Sequence, residues 1–199
     1  MGEEIKTDLV LAENQWIETE RLILRPVTLA DTEDVYEYAS DEVTTRFLFP
    51  ANQSLAETRA TITTSFIKDP LGKYGIELKK SGKLIGTTDI RVNDHNGTAE
   101  IGYALNSAYW GNGYMPEATA ALLKLGFEKL DLVRIFATHD VRNSNSGRVM
   151  EKLHMKKEGE DQCRDLDEAI RNRQLARKEA AVTLEKKNRG NKKRGKRHL

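Results

Sequence analysis

The stretch AEIGYALNSAYWGNGYMPEA, residues 99–118, decides how this chain is read. A strand runs from Thr98 to Leu105, a loop rich in small residues from Asn106 to Gly113, and a helix opens at Tyr114. Where such a loop enters a helix, the first N–H groups have no partner inside the helix, and the helix dipole adds positive potential at the same point. Gly111 and Gly113 remove Cβ atoms where an anion must approach the backbone. The unit is an anion site built without lysine. It is not a phosphate loop of the G-K-[ST] kind, because no lysine follows the glycines, and it lacks the three spaced glycines of the dinucleotide fingerprint. On this fragment alone an ordinary glycine loop reads equally well.

The surrounding pattern alternates strands and helices. Thr19–Pro26 reads as a strand that Pro26 ends. Thr28, with Asp31 three residues on, caps a helix with Val35, Tyr36 and Ala39 on its apolar stripe. Ser54 and Glu57 form a capping box for a second helix expected to reach Ile67. Tyr74–Lys79 and Leu84–Arg91 are strands joined at Ser81-Gly82, and Asn96-Gly97 turns the chain into Thr98–Leu105. Residues 114–130 are helical, Val133–Thr138 is a strand, and Ser144–Leu153 is a helix. The sequence thus predicts an α/β domain over residues 16–159, a flexible leader over 1–15, and a charged tail, helical or disordered, over 160–199.

Composition narrows the class. Of 199 residues 38% are hydrophobic, enough for a core. A single cysteine, Cys163, rules out a disulfide framework and favours a reducing, cytoplasmic setting. No apolar run approaches the ~20 residues of a membrane span. The net charge of +1 hides an asymmetry: residues 160–199 hold 13 Lys and Arg against 7 Asp and Glu, so the body is mildly acidic and the tail basic.

Residues 99–118 also closely resemble the acetyl-coenzyme A loop of the GNAT superfamily of N-acetyltransferases, Q/R-x-x-G-x-G/A. Gly111 and Gly113 stand at its glycines, and Ala108 departs from its first position. RNSNSGRVMEKLHM (142–155) resembles the family's next motif, N-x-x-S-x-R-V-L-E-K-x-G-F, through Asn143, Ser146, Arg148, Val149, Glu151 and Lys152. The opening TERLILRPVTLADTEDVYEYASD resembles the Rim-type (RimJ/RimL-like) branch, which acetylates the N-termini of ribosomal proteins. The resemblance implies a central mixed twisted sheet flanked by helices, in which Thr98–Leu105 and Val133–Thr138 are parallel neighbours that splay apart. It implies acetyl-CoA as co-substrate, no metal, and an amine acceptor, a protein N-terminus in the Rim-type branch.

The site residues follow from the resemblance and the chemistry together. Acetyl transfer to an amine needs a polarised thioester carbonyl, a neutral amine and a proton for the departing thiolate. N–H groups near Tyr103 and Leu105 are expected to bond the pantetheine arm and the acetyl oxygen. The backbone of Trp110, Gly111, Asn112, Gly113, Tyr114 and Met115 is expected to take the diphosphate, and Asn143 the pantetheine amides. Glu100 is the candidate general base, with a structural strand-face carboxylate as an equal alternative. Met150 stands where many family members carry a tyrosine acid, which leaves Ser146 as the nearest hydroxyl. Tyr103 reads as a wall of the channel and Trp110 as packing beneath the loop, with cofactor contact as its alternative role. His95 and His139 lack companions at metal-ligand spacing.

The family normally adds two closing strands after the Asn143 helix. Residues 160–180 space their apolar positions by three and four, so that closing hairpin is expected to be missing, replaced through a frame shift or fusion. A second reading comes from residues 186–199, whose eight Lys and Arg would contact RNA or the ribosome in an inactive relative.

Overall fold

The computed structural model describes residues 2–161 and 179–185. The chain enters through helix α1 (Gly2–Glu13), strand β1 (Ile17–Glu18) and strand β2 (Leu22–Arg25). Leu22 and Leu24 are wholly buried while Ile23 and Arg25 alternate outward, as a half-buried strand requires. The expected flexible leader is therefore corrected to a helix. Leu11 sits in the main core, Thr7 donates to Asp94 at 2.5 Å, and the Tyr74 hydroxyl donates to the Asn14 carbonyl at 3.0 Å.

Three helices follow: α2 (Thr32–Ala39), α3 (Glu42–Thr45) and α4 (Leu55–Ile62). The Thr28–Asp31 capping box forms, but around a short 3-10 turn (Leu29–Asp31) that leads into α2. Asp31 is also clamped by Arg25, which in turn holds Glu77 on the next strand. Burial pushes the Asp31 carboxyl up, yet the hydrogen bonds from Arg25 and the Thr28 amide outweigh it and hold it below the usual range. The Ser54 hydroxyl accepts from the Glu57 amide at 3.2 Å, and the Glu57 carboxylate reaches back to the Gln53 amide. The helix expected to reach Ile67 stops being α-helical at Ile62 and continues as a π turn over Thr63–Ile67. The Thr63 and Thr64 hydroxyls bond back to the Arg59 and Ala60 carbonyls, a competition with the ladder that bends helices.

The sheet continues through β3 (Lys73–Leu78), β4 (Leu84–Asn93) and β5 (Thr98–Leu105), then helix α5 (Tyr114–Glu128), β6 (Arg134–Asp140), helix α6 (Ser144–Lys152), β7 (Lys156–Asp161) and β8 (Glu179–Glu185). The eight strands lie in the order β1-β2-β3-β4-β5-β6-β8-β7. Only β5 and β6 run parallel; every other pair is antiparallel. On one face α5 buries Ala118, Leu122 and Leu125 against Ile101 and Ile135. On the other, α2 and α4 bury Val35, Tyr38 and Ile62 against Leu84 and Ala104.

The expectation of a missing closing hairpin is overturned. β8 pairs with β6 in seven register positions, Arg134↔Glu185 through Asp140↔Glu179, and with β7 on its other side. The domain therefore runs past residue 159 and takes in Glu160, Asp161 and residues 179–185. The physical signal stood in EAAVTLE, where Ala180, Val182 and Leu184 alternate with Ala181, Thr183 and Glu185. Two charged neighbours and an upstream run of helical spacing masked it. Residues 162–178 and the basic run 186–199, with the RNA contact expected of it, lie outside the described residues.

A chain ended at residue 178 would lose β8 and bare the edge of β6 to pairing with other chains. It is expected to melt well below the full chain and to associate as concentration rises; thermal melts and size-exclusion chromatography over a concentration series check both.

Candidate active site

β5 and β6 pair at three positions, Thr98↔Arg134, Ala99↔Ile135 and Glu100↔Phe136, and then part. On its far side β5 stays bonded to β4 over its whole length, down to Gly86↔Leu105. The Asn106 amide donates to the Ile85 carbonyl at 2.9 Å. By the alternation of an antiparallel ladder, Ala104 and Gly102 turn their backbone groups toward β4, while Tyr103 and Leu105, beyond the last β5–β6 pair, turn theirs into the gap. The Leu105 carbonyl accordingly accepts from the indole Nε1 of Trp110 at 2.8 Å. Trp110 is 37% exposed and borders the cleft, so the expectation of packing beneath the loop is corrected.

The glycine loop takes the predicted form. Gly111 and Gly113 have φ of 81° and 79°, the left-handed region that glycine enters freely. A Cβ on Gly111 would meet nothing within 4 Å, so the space over the loop is open. Gly113 is the N-cap of α5 and offers no side chain to cap it, which leaves the first N–H groups of the helix to an external anion. Pro116, in the first turn, has no N–H to satisfy. These residues fit a diphosphate. The sequence reading missed Arg21, which locks this corner. Its guanidinium donates to Glu117 at 2.6 Å and to the Asn112 carbonyl at 3.0 Å, and lies 4.6 Å from the centre of the Tyr114 ring.

Across the gap, the Asn143 Oδ1 accepts from the Ser146 amide at 3.2 Å and caps α6. Ser146 Oγ donates to the Tyr103 hydroxyl at 3.0 Å, and that hydroxyl donates to the Ser146 carbonyl at 3.1 Å. The pair bridges the two parted elements. Burial pushes the Tyr103 phenol up to about 12, so it stays neutral and a donor at ordinary pH. Met150, at 1% exposure, packs with Ala137 and Met155 and takes no part in the site. Glu100 lies on the opposite face of β5 from Tyr103. Its carboxylate accepts from the Thr138 hydroxyl at 3.1 Å and pairs with Arg91 at 3.3 Å. Among the described residues no group of three or more His, Cys, Asp or Glu is placed to hold a metal.

Two cavities converge here. One, of about 1310 Å³, runs from the glycine loop and α5 along α6 to the segment 42–53. The other, of about 550 Å³, lies over Asp89, Arg91 and Glu100 beneath Phe47, Phe49 and Phe66. Tyr103, Ala104, Asp140, Asn143 and Ser146 line both.

A glycine-capped helix start, a parallel pair that parts beside it, and two cavities meeting in the gap define an acetyl-transferring fold. The acetyltransferase (GNAT) domain family matches residues 21–156, and the chain belongs to it. The N-acetyltransferase YnaD of Bacillus subtilis, itself uncharacterised, is 34% identical over 143 residues, 72% of this chain and 84% of that protein. A GNAT-family acetyltransferase from Bacillus anthracis superposes with a TM-score of 0.74 at 28% identity, covering 85% of this chain and 98% of that one. The ribosomal-protein-S5-alanine acetyltransferase of Vibrio fischeri shares the fold, with a TM-score of 0.65 at 20% identity over 87% of this chain and 97% of that one. The chain is thus an N-acetyltransferase of the GNAT family. No helix among the described residues is long and apolar enough to cross a membrane.

Gly113→Val puts a β-branched residue at φ 79°, where non-glycine backbone costs roughly 1–3 kcal/mol. Its Cβ would meet only Arg21, at 3.5 Å, so the damage is to loop shape. The variant is expected to lose stabilisation by coenzyme A in thermal-shift assays. Gly82→Val, equally strained at φ 70° but in the β3–β4 turn, is expected to melt lower and keep it.

Proposed function

We propose that the chain acetylates a primary amine by direct attack on acetyl-CoA, and that the amine is a protein N-terminus. The observation that carries this is the meeting of the two cavities in the β5–β6 gap. One begins at an anion-binding helix start, and the other holds an ionisable group, Glu100, on the opposite sheet face. The acceptor is supported by the resemblance of residues 19–41 to the Rim-type branch.

In this reading the first N–H groups of α5, with the backbone from Trp110 to Met115, hold the diphosphate. Asn143, whose Nδ2 makes no hydrogen bond among the described residues, and the gap-facing backbone of Tyr103 and Leu105 hold the pantetheine arm. Acetyl-CoA supplies the activated acyl group. A Leu105 or Tyr103 N–H aimed at the acetyl oxygen stabilises the charge that develops there. The amine enters through the smaller cavity, and Glu100 takes its proton through a water. Thr138 and Arg91 hold the Glu100 carboxylate in a fixed pose, so that its structural pairing and its catalytic role are the same contact. To protonate the departing sulfur, Ser146 turns its hydroxyl hydrogen away from the Tyr103 oxygen that accepts it in the free site. No covalent enzyme intermediate is needed, because the amine attacks directly.

The test is an acetyl-CoA assay against a panel of N-terminal peptides and small polyamines. Transfer confined to polyamines would replace the protein N-terminus with a small-molecule acceptor. Glu100→Gln keeps shape and removes basicity. It is expected to lower turnover by ~10²–10⁴, most at low pH where the amine arrives protonated, with coenzyme A stabilisation unchanged. Wild-type kinetics across the pH range would return Glu100 to a purely structural role.

A further inference from the structure

The loop between β6 and α6 carries a guanidinium held more firmly than its exposure explains. Asp140, whose side chain is 1% exposed, accepts three bonds from Arg142: the backbone amide at 2.9 Å, Nε at 2.9 Å and one terminal nitrogen at 2.6 Å. The Arg142 side chain itself is 50% exposed. It lies 5.4 Å from the centre of the Phe47 ring, with Arg46 on the same ring at 5.3 Å. An ion pair of this exposure adds little stability. What the anchor does is fix direction.

A guanidinium has two edges that can grip an oxyanion in bidentate fashion. Asp140 takes the Nε edge. The other edge, carrying the second terminal nitrogen, makes no hydrogen bond among the described residues, and Arg142 lines the larger cavity. Its neighbours Asp140 and Asn143, and Phe47 beneath it, line both cavities. Arg142 therefore stands at the rim of the gap where transfer occurs, whereas the coenzyme's diphosphate has its own donors at the start of α5.

We propose that Arg142 is a specificity-determining residue that reads an anionic group on the acceptor: the amine acetylated here also carries a carboxylate or phosphate near its nitrogen. This rests on the proposed function above and narrows its acceptor to N-termini with an acidic group beside the amine; a free amino acid carries the same chemistry and serves as a minimal probe. Lysine could not replace Arg142, because an ammonium cannot bind Asp140 side-on and still present a second planar fork.

The experiment compares matched acceptors: peptides beginning with Asp or Asn, and an amino acid against its amide. The anionic member of a pair is expected to be preferred about tenfold or more in kcat/KM, the size of one good charged contact. Arg142→Gln and Arg142→Lys should erase the preference by raising KM for the anionic member alone, with coenzyme A affinity unchanged. Asp140→Asn, which keeps the guanidinium but loosens it, should erase most of it. Equal use of both members by the wild type, a preference that survives Arg142→Gln, or a parallel fall in coenzyme A affinity would overturn the proposal, the last assigning the fork to the coenzyme. Calorimetry on the coenzyme A-saturated protein with the acetylated products of the same pairs separates this from activity. Anion-selective binding without turnover would keep the proposal and remove the proposed reaction, whereas equal binding of both products, or none, would overturn the proposal.

Discussion

The structure depends on one interruption in its hydrogen bonding. β5 and β6 pair at Thr98–Glu100 and then separate, leaving backbone groups of Tyr103 and Leu105 turned into a gap. An unpaired buried peptide group costs free energy comparable to a lost hydrogen bond, so such a gap survives only if water or a ligand fills it and the flanks are held independently. They are. β4 grips β5 over eight register positions, and β8 grips β6 over seven. Each strand keeps one complete ladder and leaves the other edge free for chemistry. The closing strand is thus what allows the site to exist, which is why its recovery in the structure alters the view of the whole chain.

The second constraint is that the two sides of the gap must move together. The glycine loop is tied to α2 and to the cap of α3 by side chains: Asn106 donates to Glu37 at 2.9 Å, and Ser107 donates to Asp41 at 2.7 Å. Lys83 pairs with both Asp34 and Glu37 and fastens α2 to the β3–β4 turn. The bonds from Lys83 and Asn106 hold the Glu37 carboxyl below its usual range, and those from Thr44 and Ser107 do the same for Asp41. On the far side the Tyr103–Ser146 pair spans the gap. The cleft is framed by short polar links, which fix geometry without filling space.

Much of this was legible. The β5 limits, the glycine positions and both early caps were set by local rules: positive φ suits glycine, and Ser and Thr accept from the first helical amides. Glu100 was placed on the right strand, but its face was not decided, because alternation leaves both faces open until a neighbour is known. The place of Trp110 is not legible locally, because its hydrogen bond to Leu105 depends on where the strand's carbonyl is left free. Arg21 carried no signal, since its partner Glu117 is 96 positions away. Arg142 stood inside a recognised motif, yet nothing local revealed that Asp140 would be buried.

By itself the sequence determined the family, the order of elements from β3 to α6 and the glycine loop, because these rest on short-range spacing and on motifs whose residues are neighbours in the chain. Only the tertiary structure decided that the sheet is completed by EAAVTLE. A seven-residue strand with charged ends has no local preference strong enough to declare itself, and it becomes a strand here because β6 offers an unpaired edge and β7 flanks it. Tertiary structure likewise decided which carboxylates face the gap and that Asp140, the partner of Arg142, is buried beside it, since burial is set by packing between distant segments and leaves no periodicity to read.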